Sequence, residues 1–274
     1  MAGFAADAAT PYAARMGLLY PVRRSPLSEY VDFLWMAEGY VQPHAQERVL
    51  PTGTTELVID LDPRARVAGT VSGARSECIV LETARPLSLI AAHFKPGGAF
   101  PFFALPAAEI RDLQLPFDEL WGRDALHLRD CILEAGTSNA RFGLLERFLL
   151  SRLDRNRQRH PAVGYAVAQL QNASDAPSVA QIVERTGLSA RRFINVFRDE
   201  VGLTPKVFSR LVRFRNVIRS IQTQTDVDWA DTALACGYFD QPHFVHDFRA
   251  FAGVSPSAYL RNRTGSPNHV RIAA

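Results

Sequence analysis

The 274-residue sequence predicts an α+β chain in two parts. An antiparallel β barrel or sandwich with helices after it comes first, and an all-α tandem helix-turn-helix unit follows. Three observations predict this. Short apolar runs cut by turn residues fill residues 18 to about 105, the texture then becomes helical, and residues 188–259 contain the same pattern twice.

Residues 1–15 are small, Ala-rich and aperiodic, and are expected to be flexible. In residues 16–122 the best strand candidates are 30–35, 56–61, 79–81 and 89–94. Pro51-Thr52-Gly53, Asp62-Pro63, Gly69, Gly73 and Pro96-Gly97-Gly98 separate them. Many short strands with regular turns argue for an antiparallel sandwich or barrel, a fold that can enclose a small ligand.

Residues 123–160 are read as a helical dimerisation or linker region. Leu126, Leu128, Ile132 and Leu133 lie near one side of a first helix. Phe142, Leu145, Phe148, Leu149 and Leu153 form a broad apolar stripe on a second. Such helices either cap the barrel or form a dimer seam. The polar run 152–160 ends in Pro161 and is the natural linker.

From 163 to 263 the chain is helical throughout, and its core is the repeat. Leu188-Ser189 is followed by Phe193, Phe197, Arg198, Gly202, Thr204, Pro205 and Phe208. Phe239-Asp240 is followed, at a constant offset of 51, by Phe244, Phe248, Arg249, Gly253, Ser255, Pro256 and Tyr259. Upstream, Val179-Ala180, Val183 and Gly187 answer Trp229-Ala230, Ala233 and Gly237 at an offset of 50. Each copy is thus a short apolar helix, a Gly turn, and a second helix N-capped by Ser or Asp. The apolar residue before each cap is expected to staple onto the following turn. Thr204 and Pro205 open a long connecting helix carrying Arg210, Arg213, Arg215 and Arg219, a solvated face with some members in reach of phosphates. Residues 264–274 are expected to be a flexible tail.

Helix-turn-helix units in tandem predict that this half reads DNA. The charge is consistent with that. Residues 1–160 hold 18 basic and 19 acidic groups, whereas residues 161–274 hold 13 and 9. On a helical wheel Phe193, Val196 and Phe197 form one buried arc, and Arg191, Asn195 and Arg198 point away. Phe244, Asp247 and Phe248 form the other arc, with Asp247 at its edge beside a neighbouring Arg. There Pro242, His246 and Arg249 point away. Arg192 and His243 flank the exposed sides, and Gln241 sits at a helix tip. Pro242, as second helical residue, forfeits only an N–H already unpaired, so Asp240 must cap through the His243 amide. Arg can donate two bonds to guanine, and Asn or Gln can pair with adenine. With Ser189 as cap, the candidate DNA-binding set is Ser189, Arg191, Arg192, Asn195, Arg198, Gln241, Pro242, His243, His246 and Arg249.

The run Gly237-Tyr238-Phe239-Asp240-Gln241-Pro242-His243-Phe244, continuing through Phe248-Arg249, Gly253, Ser255-Pro256 and Tyr259, resembles the signature of AraC-type transcriptional regulators. Gly187-Leu188-Ser189 through Pro205 is similar to the other half of that domain. The resemblance covers residues 163–263. It implies two recognition helices, joined by one long helix, that read adjacent major-groove segments. It places Arg191, Arg192, Asn195, Gln241, Pro242, His243 and His246 near bases or phosphates. Leu50-Pro51-Thr52-Gly53 with Glu56-Leu57, Phe94-Lys95-Pro96-Gly97-Gly98 with Phe102-Phe103, and Leu120-Trp121-Gly122 resemble the N-terminal domain of one branch of these regulators. That implies a cupin-like sensing barrel.

Some cupin barrels hold iron through a His-x-His pair, but here His44, His93 and His127 stand apart, so no metal and no cofactor is expected. Cys236, His243 and His246 match no zinc spacing. Three scattered cysteines imply a reducing compartment, no apolar run approaches a membrane span, and the N-terminus lacks the pattern of a signal peptide. The expectation is a cytoplasmic bacterial regulator and not an enzyme, with activator and repressor both open to it. Its expected partners are double-stranded DNA, a small-molecule effector that the sequence does not identify, RNA polymerase and a second copy of the chain. Two other readings are a cupin-type enzyme fused to a DNA-binding module and a ligand-independent architectural DNA binder.

Overall fold

In the computed structural model, residues 17–22, 25–171 and 177–272 are described; the expectation for residues 1–15 lies outside them. Two antiparallel sheets build the front half. β1 (Leu18–Pro21), β2 (Val31–Tyr40), β4 (Glu56–Asp60), β5 (Gly69–Ser72), β7 (Leu87–Phe94) and β8 (Gln114–Pro116) form one, in the order β1-β2-β7-β4-β5-β8. β6 (Ile79–Glu82), β3 (Gln46–Val49) and β9 (His269–Arg271) form the other, in the order β6-β3-β9.

Period-two alternation divides the larger sheet cleanly. Leu34 and Met36 of β2, with Ile90, Ala92 and Phe94 of β7, face helices α1 (Phe117–Trp121), α2 (Arg123–Glu134) and α3 (Ser138–Arg152). Phe33, Trp35 and Ala37, with Ala91, face the other way and look across at the smaller sheet. Ala125, Leu128 and Ile132 of α2 and Phe142, Leu145 and Leu149 of α3 are all buried in the core they share with that sheet. The stripe on α3 is therefore used inside one chain, as the capping alternative requires.

The helices that follow are α4 (Pro161–Gln171), α5 (Val179–Thr186), α6 (Ala190–Val201), the connector α7 (Pro205–Ser220), α8 (Trp229–Ala235), α9 (Gln241–Ala252) and α10 (Pro256–Asn262). Their core contains Phe193, Phe197, Phe208, Phe214, Phe244, Phe248 and Tyr259, each at most 2% exposed. Leu50 and Ala74 of the front half join the same core.

One expectation is corrected. The described part of residues 264–274 is not a flexible tail. Residues 269–271 form β9, pairing Glu47 with Arg271, Arg48 with Val270 and Val49 with His269. Val270 is 1% exposed, and the Tyr259 hydroxyl donates to the Pro267 carbonyl at 2.8 Å. Only three residues of strand are involved, too few to produce a legible alternation, and the partner edge lies more than 200 residues earlier in the chain.

Candidate nucleic-acid interface

Both helix-turn-helix units are built as their local chemistry dictates. Ser178 caps α5 through a capping box with Gln181, and Gly187 turns the chain at φ 69°. Ser189 then caps α6, its hydroxyl accepting from the Arg192 amide at 3.3 Å. In the second unit Asp228 caps α8, accepting from the Ala230 and Asp231 amides. Gly237 turns at φ 80°, and Asp240 accepts from the His243 amide at 2.8 Å, the bond Pro242 demands.

These caps place the N-terminal turns of α6 and α9 in solvent. Ser189, Arg191, Arg192 and Arg198 are exposed and Asn195 is half-buried, while Phe193 and Phe197 hold the inner side. Gln241, Pro242, His246 and Arg249 are exposed and His243 is half-buried, above Phe244 and Phe248. The ten candidate residues thus fall on two open helix faces.

Asp247 lies deeper than the edge of its arc. It is 1% exposed and accepts three hydrogen bonds from Arg210 of the connector: two from Nε, at 3.1 and 3.2 Å, and one from Nη2, at 2.6 Å. His243 Nε2 and His246 Nδ1 lie 3.7 and 3.5 Å from the same carboxylate. One buried anion thereby orients two of the candidate histidines and ties α9 to α7, and the Asp247 contact raises the Arg210 pKa further.

The connector arginines, expected on a solvated face, are mostly half-buried and engaged within the chain. Arg210 holds Asp247, Arg213 lies over the Tyr238 ring at 5.3 Å, and Arg215 donates to the Thr52 carbonyl at 3.1 Å. Arg219 is exposed but lines a cavity between the two halves. The second staple is also corrected. Leu188 packs on the core, but Phe239 is 87% exposed. The second turn is one residue longer than the first, so Tyr238 takes the inner place, edge-on to Phe244 at 5.4 Å, and Phe239 is pushed out beside Gln241. The one-residue difference between the two repeat offsets was the signal for it.

Two of the motifs that carry the front-half resemblance supply turns to the contact between halves, while Phe102-Phe103 and Leu120-Trp121 pack in the front-half core. Gly53, at φ 73°, sits so close to the connector that a Cβ there would lie 2.6 Å from Leu211. Gly97, at φ 71°, faces Arg159, Val201 and the Glu200 carbonyl. Gly202, which ends α6 at φ 86°, lies against Ala74 and Ala107. The front half therefore touches α6 at its C-terminal end and leaves its N-terminal turn open.

Two cavities adjoin this contact. One, of about 320 Å³, lies between the halves and is lined by Asp32, His93, Lys95, Arg159, Arg215 and Arg219 among others. The second, of about 250 Å³, lies between the two sheets of the front half. Its lining includes Trp35, Val58, Ile79, Leu81, Leu87 and Leu89, with Glu56, Arg75 and His269 as its charged or titratable members. His93 bridges Thr54 at 3.1 Å and Glu56 at 3.4 Å. His44 pairs with Glu47, and His127 lies 3.7 Å from Cys131. Among the described residues no three or more His, Cys, Asp or Glu side chains are grouped to hold a metal ion, and no helix is long and apolar enough to cross a membrane.

Two family models match the chain, a helix-turn-helix domain over residues 182–262 and a domain of unknown function, DUF6597, over residues 24–116. The HTH-type transcriptional activator AarP of Providencia stuartii is 30% identical over 94 residues, 34% of this chain and 69% of that protein. The HTH-type transcriptional regulator ArgR of Pseudomonas aeruginosa is 26% identical over 107 residues, 39% of this chain and 32% of that protein. The chain thus spans about a third of the length of that relative, and likewise of an uncharacterized HTH-type regulator of Haemophilus influenzae. Among solved structures, ToxT from Vibrio cholerae aligns at 11% identity and TM-score 0.41, covering 83% of this chain and 93% of that one.

Proposed function

This chain belongs to the AraC-type family of DNA-binding transcriptional regulators, and from that premise we propose that α6 and α9 are its two reading heads, set in adjacent major-groove segments of its operator. The observation that carries the reading is the matched exposure of the two N-terminal faces. Each is held by a side-chain cap and a pair of buried phenylalanines. Arg191, Asn195, Gln241 and His246 supply base-edge donors and acceptors, with Pro242 and Phe239 as apolar contacts. Arg192, Arg198 and Arg249, with the Ser189 and His243 ends of the helices, face phosphates.

In this reading the chain is a cytoplasmic regulator and not an enzyme, and its front half is a sensor. The cavity between the sheets, of about 250 Å³ and mainly apolar, supports a small-molecule effector over a ligand-independent architectural role. RNA polymerase is the protein partner of an activator, and a second copy of the chain would pair operator half-sites. The α3 stripe being buried, such pairing would use another face.

The test compares substitutions on specific and random DNA. His246→Ala and Gln241→Ala are expected to relax preference at individual base pairs, by about 1–3 kcal/mol each. Arg249→Ala is expected to weaken all sequences alike and to lower the salt slope by about 1. Equal losses on specific and random DNA for His246→Ala would remove that residue from the reading set.

A further inference from the structure

The C-terminal strand connects three things that the rest of the fold keeps apart. Its first residue, His269, lines the cavity between the sheets and is 2% exposed. Its backbone is bound into the front half: the Leu50 amide donates to the Asn268 carbonyl at 2.7 Å and the Ile272 amide to the Gln46 carbonyl at 3.1 Å. On its other side Tyr259 holds the Pro267 carbonyl, and the Tyr259 ring packs edge-on to Phe248, the inner anchor of recognition helix α9, at 5.7 Å.

The contact is also polar and buried. His269 Nδ1 lies 2.6 Å from Glu47 Oε1, with Glu47 wholly buried and further bonded to Tyr40 at 3.2 Å and His44 at 3.1 Å. Burial alone would push the Glu47 carboxyl up, but the bonds from His269, His44 and Tyr40 outweigh it and hold it below its ordinary value. A buried group held this way gives the strand one register on its edge, because a slip would strand the charge.

We propose that the cavity between the sheets is a composite ligand site whose wall is completed by His269. A compact, largely apolar ligand with a hydrogen-bond donor then binds only while β9 is docked, and by binding holds the second helix-turn-helix unit against the sensor. The inference rests on the sensor reading above. The ligand class follows from the lining: Trp35, Val58, Ile79, Leu81, Leu87 and Leu89 want an apolar body, and the Glu56 carboxylate accepts a donor. By linkage, whatever strengthens ligand binding in the docked state strengthens docking by the same factor.

Indole, an aromatic body with one N–H, serves as the probe on the full chain, followed by calorimetry and ligand-observed NMR. Wild type is expected to bind it saturably, and Leu89→Trp, which fills the cavity, to abolish binding. Val270→Asp, which undocks β9, and His269→Ala, which opens the wall and takes from the buried Glu47 its nearest partner, are each expected to weaken binding at least tenfold with circular dichroism unchanged. Bound indole should slow amide exchange in residues 46–49 and 269–272. If Leu89→Trp abolishes binding but both strand variants bind like wild type, the latch is wrong and the sensor reading stands. If wild type does not bind, or if Leu89→Trp binds unchanged, this ligand class in this cavity falls, and the latch with it.

Discussion

Glu200 shows what one side chain can report about the contact between halves. It closes α6, is 5% exposed, and accepts from the His160 amide through both oxygens, at 3.0 and 3.1 Å. Burial pushes its carboxyl up to about 7, with the neighbouring Asp199 adding to the rise; the His160 amide and Arg159 oppose it. A carboxyl with a raised folded-state value binds more protons folded than unfolded between its ordinary range and about 7. Its contribution to stability is therefore fully present at or below about 4.5 and is lost as pH rises through 7. Glu200→Gln should remove that dependence. Between pH 5 and pH 8 the variant is expected to gain on wild type by about 1–3 kcal/mol in denaturant midpoints. An unchanged difference across that range would show the group to be solvated.

At the scale of elements, Asp247 binds α9 to the connector and orients His243 and His246. Asp247→Ala leaves the Arg210 charge facing a gap, and a loss of about 3–4 kcal/mol is expected in equilibrium unfolding. An apolar pair, Arg210→Met with Asp247→Leu, should recover most of the stability but not the base preference of the second reading head. Recovery of both would show that the histidines take their places without the carboxylate. The same element explains a limit of sequence reading. The wheel placed Asp247 beside a neighbouring Arg, which the structure bears out, but it could not choose Arg210 among four arginines, because that depends on the crossing of α7 and α9.

For the whole molecule, the connector of 16 residues spans about 24 Å at 1.5 Å per residue, and the helix diameters at its ends add to the separation. One DNA turn advances about 34–36 Å, so one chain can set α6 and α9 in successive major grooves on one face. The segment from Pro161 onward, verified as monomeric by sedimentation, is expected to protect two short blocks about 10 base pairs apart and to have lost any effector response. Its thermal midpoint should fall, because Leu50, Ala74 and the Gly53 contact go with the front half. Protection of a single groove, or binding only as a dimer, would overturn the two-site monomer.

The sequence alone determined everything whose cause is local. Ser189 and Asp240 are caps because an oxygen there meets an amide three residues on. Gly187 and Gly237 are turns because the backbone there needs positive φ, and the Phe pairs are inward because i and i+4 share a helix face. Two such units in series pointed to the DNA-binding half and placed its ten candidate residues on two helices. Short strands in the front half were legible as texture, but β1, β3, β5, β8 and β9 were not individually legible, since three to four residues hold too few alternations. Only the tertiary structure decided that the Gly53 and Gly97 turns face the connector and the end of α6, and that the connector arginines are mostly taken. It also decided that the last strand returns to β3 and closes a cavity there. Each of these depends on which surfaces meet across long stretches of chain. Burial and pairing are set by that meeting, and no periodicity within either partner encodes it.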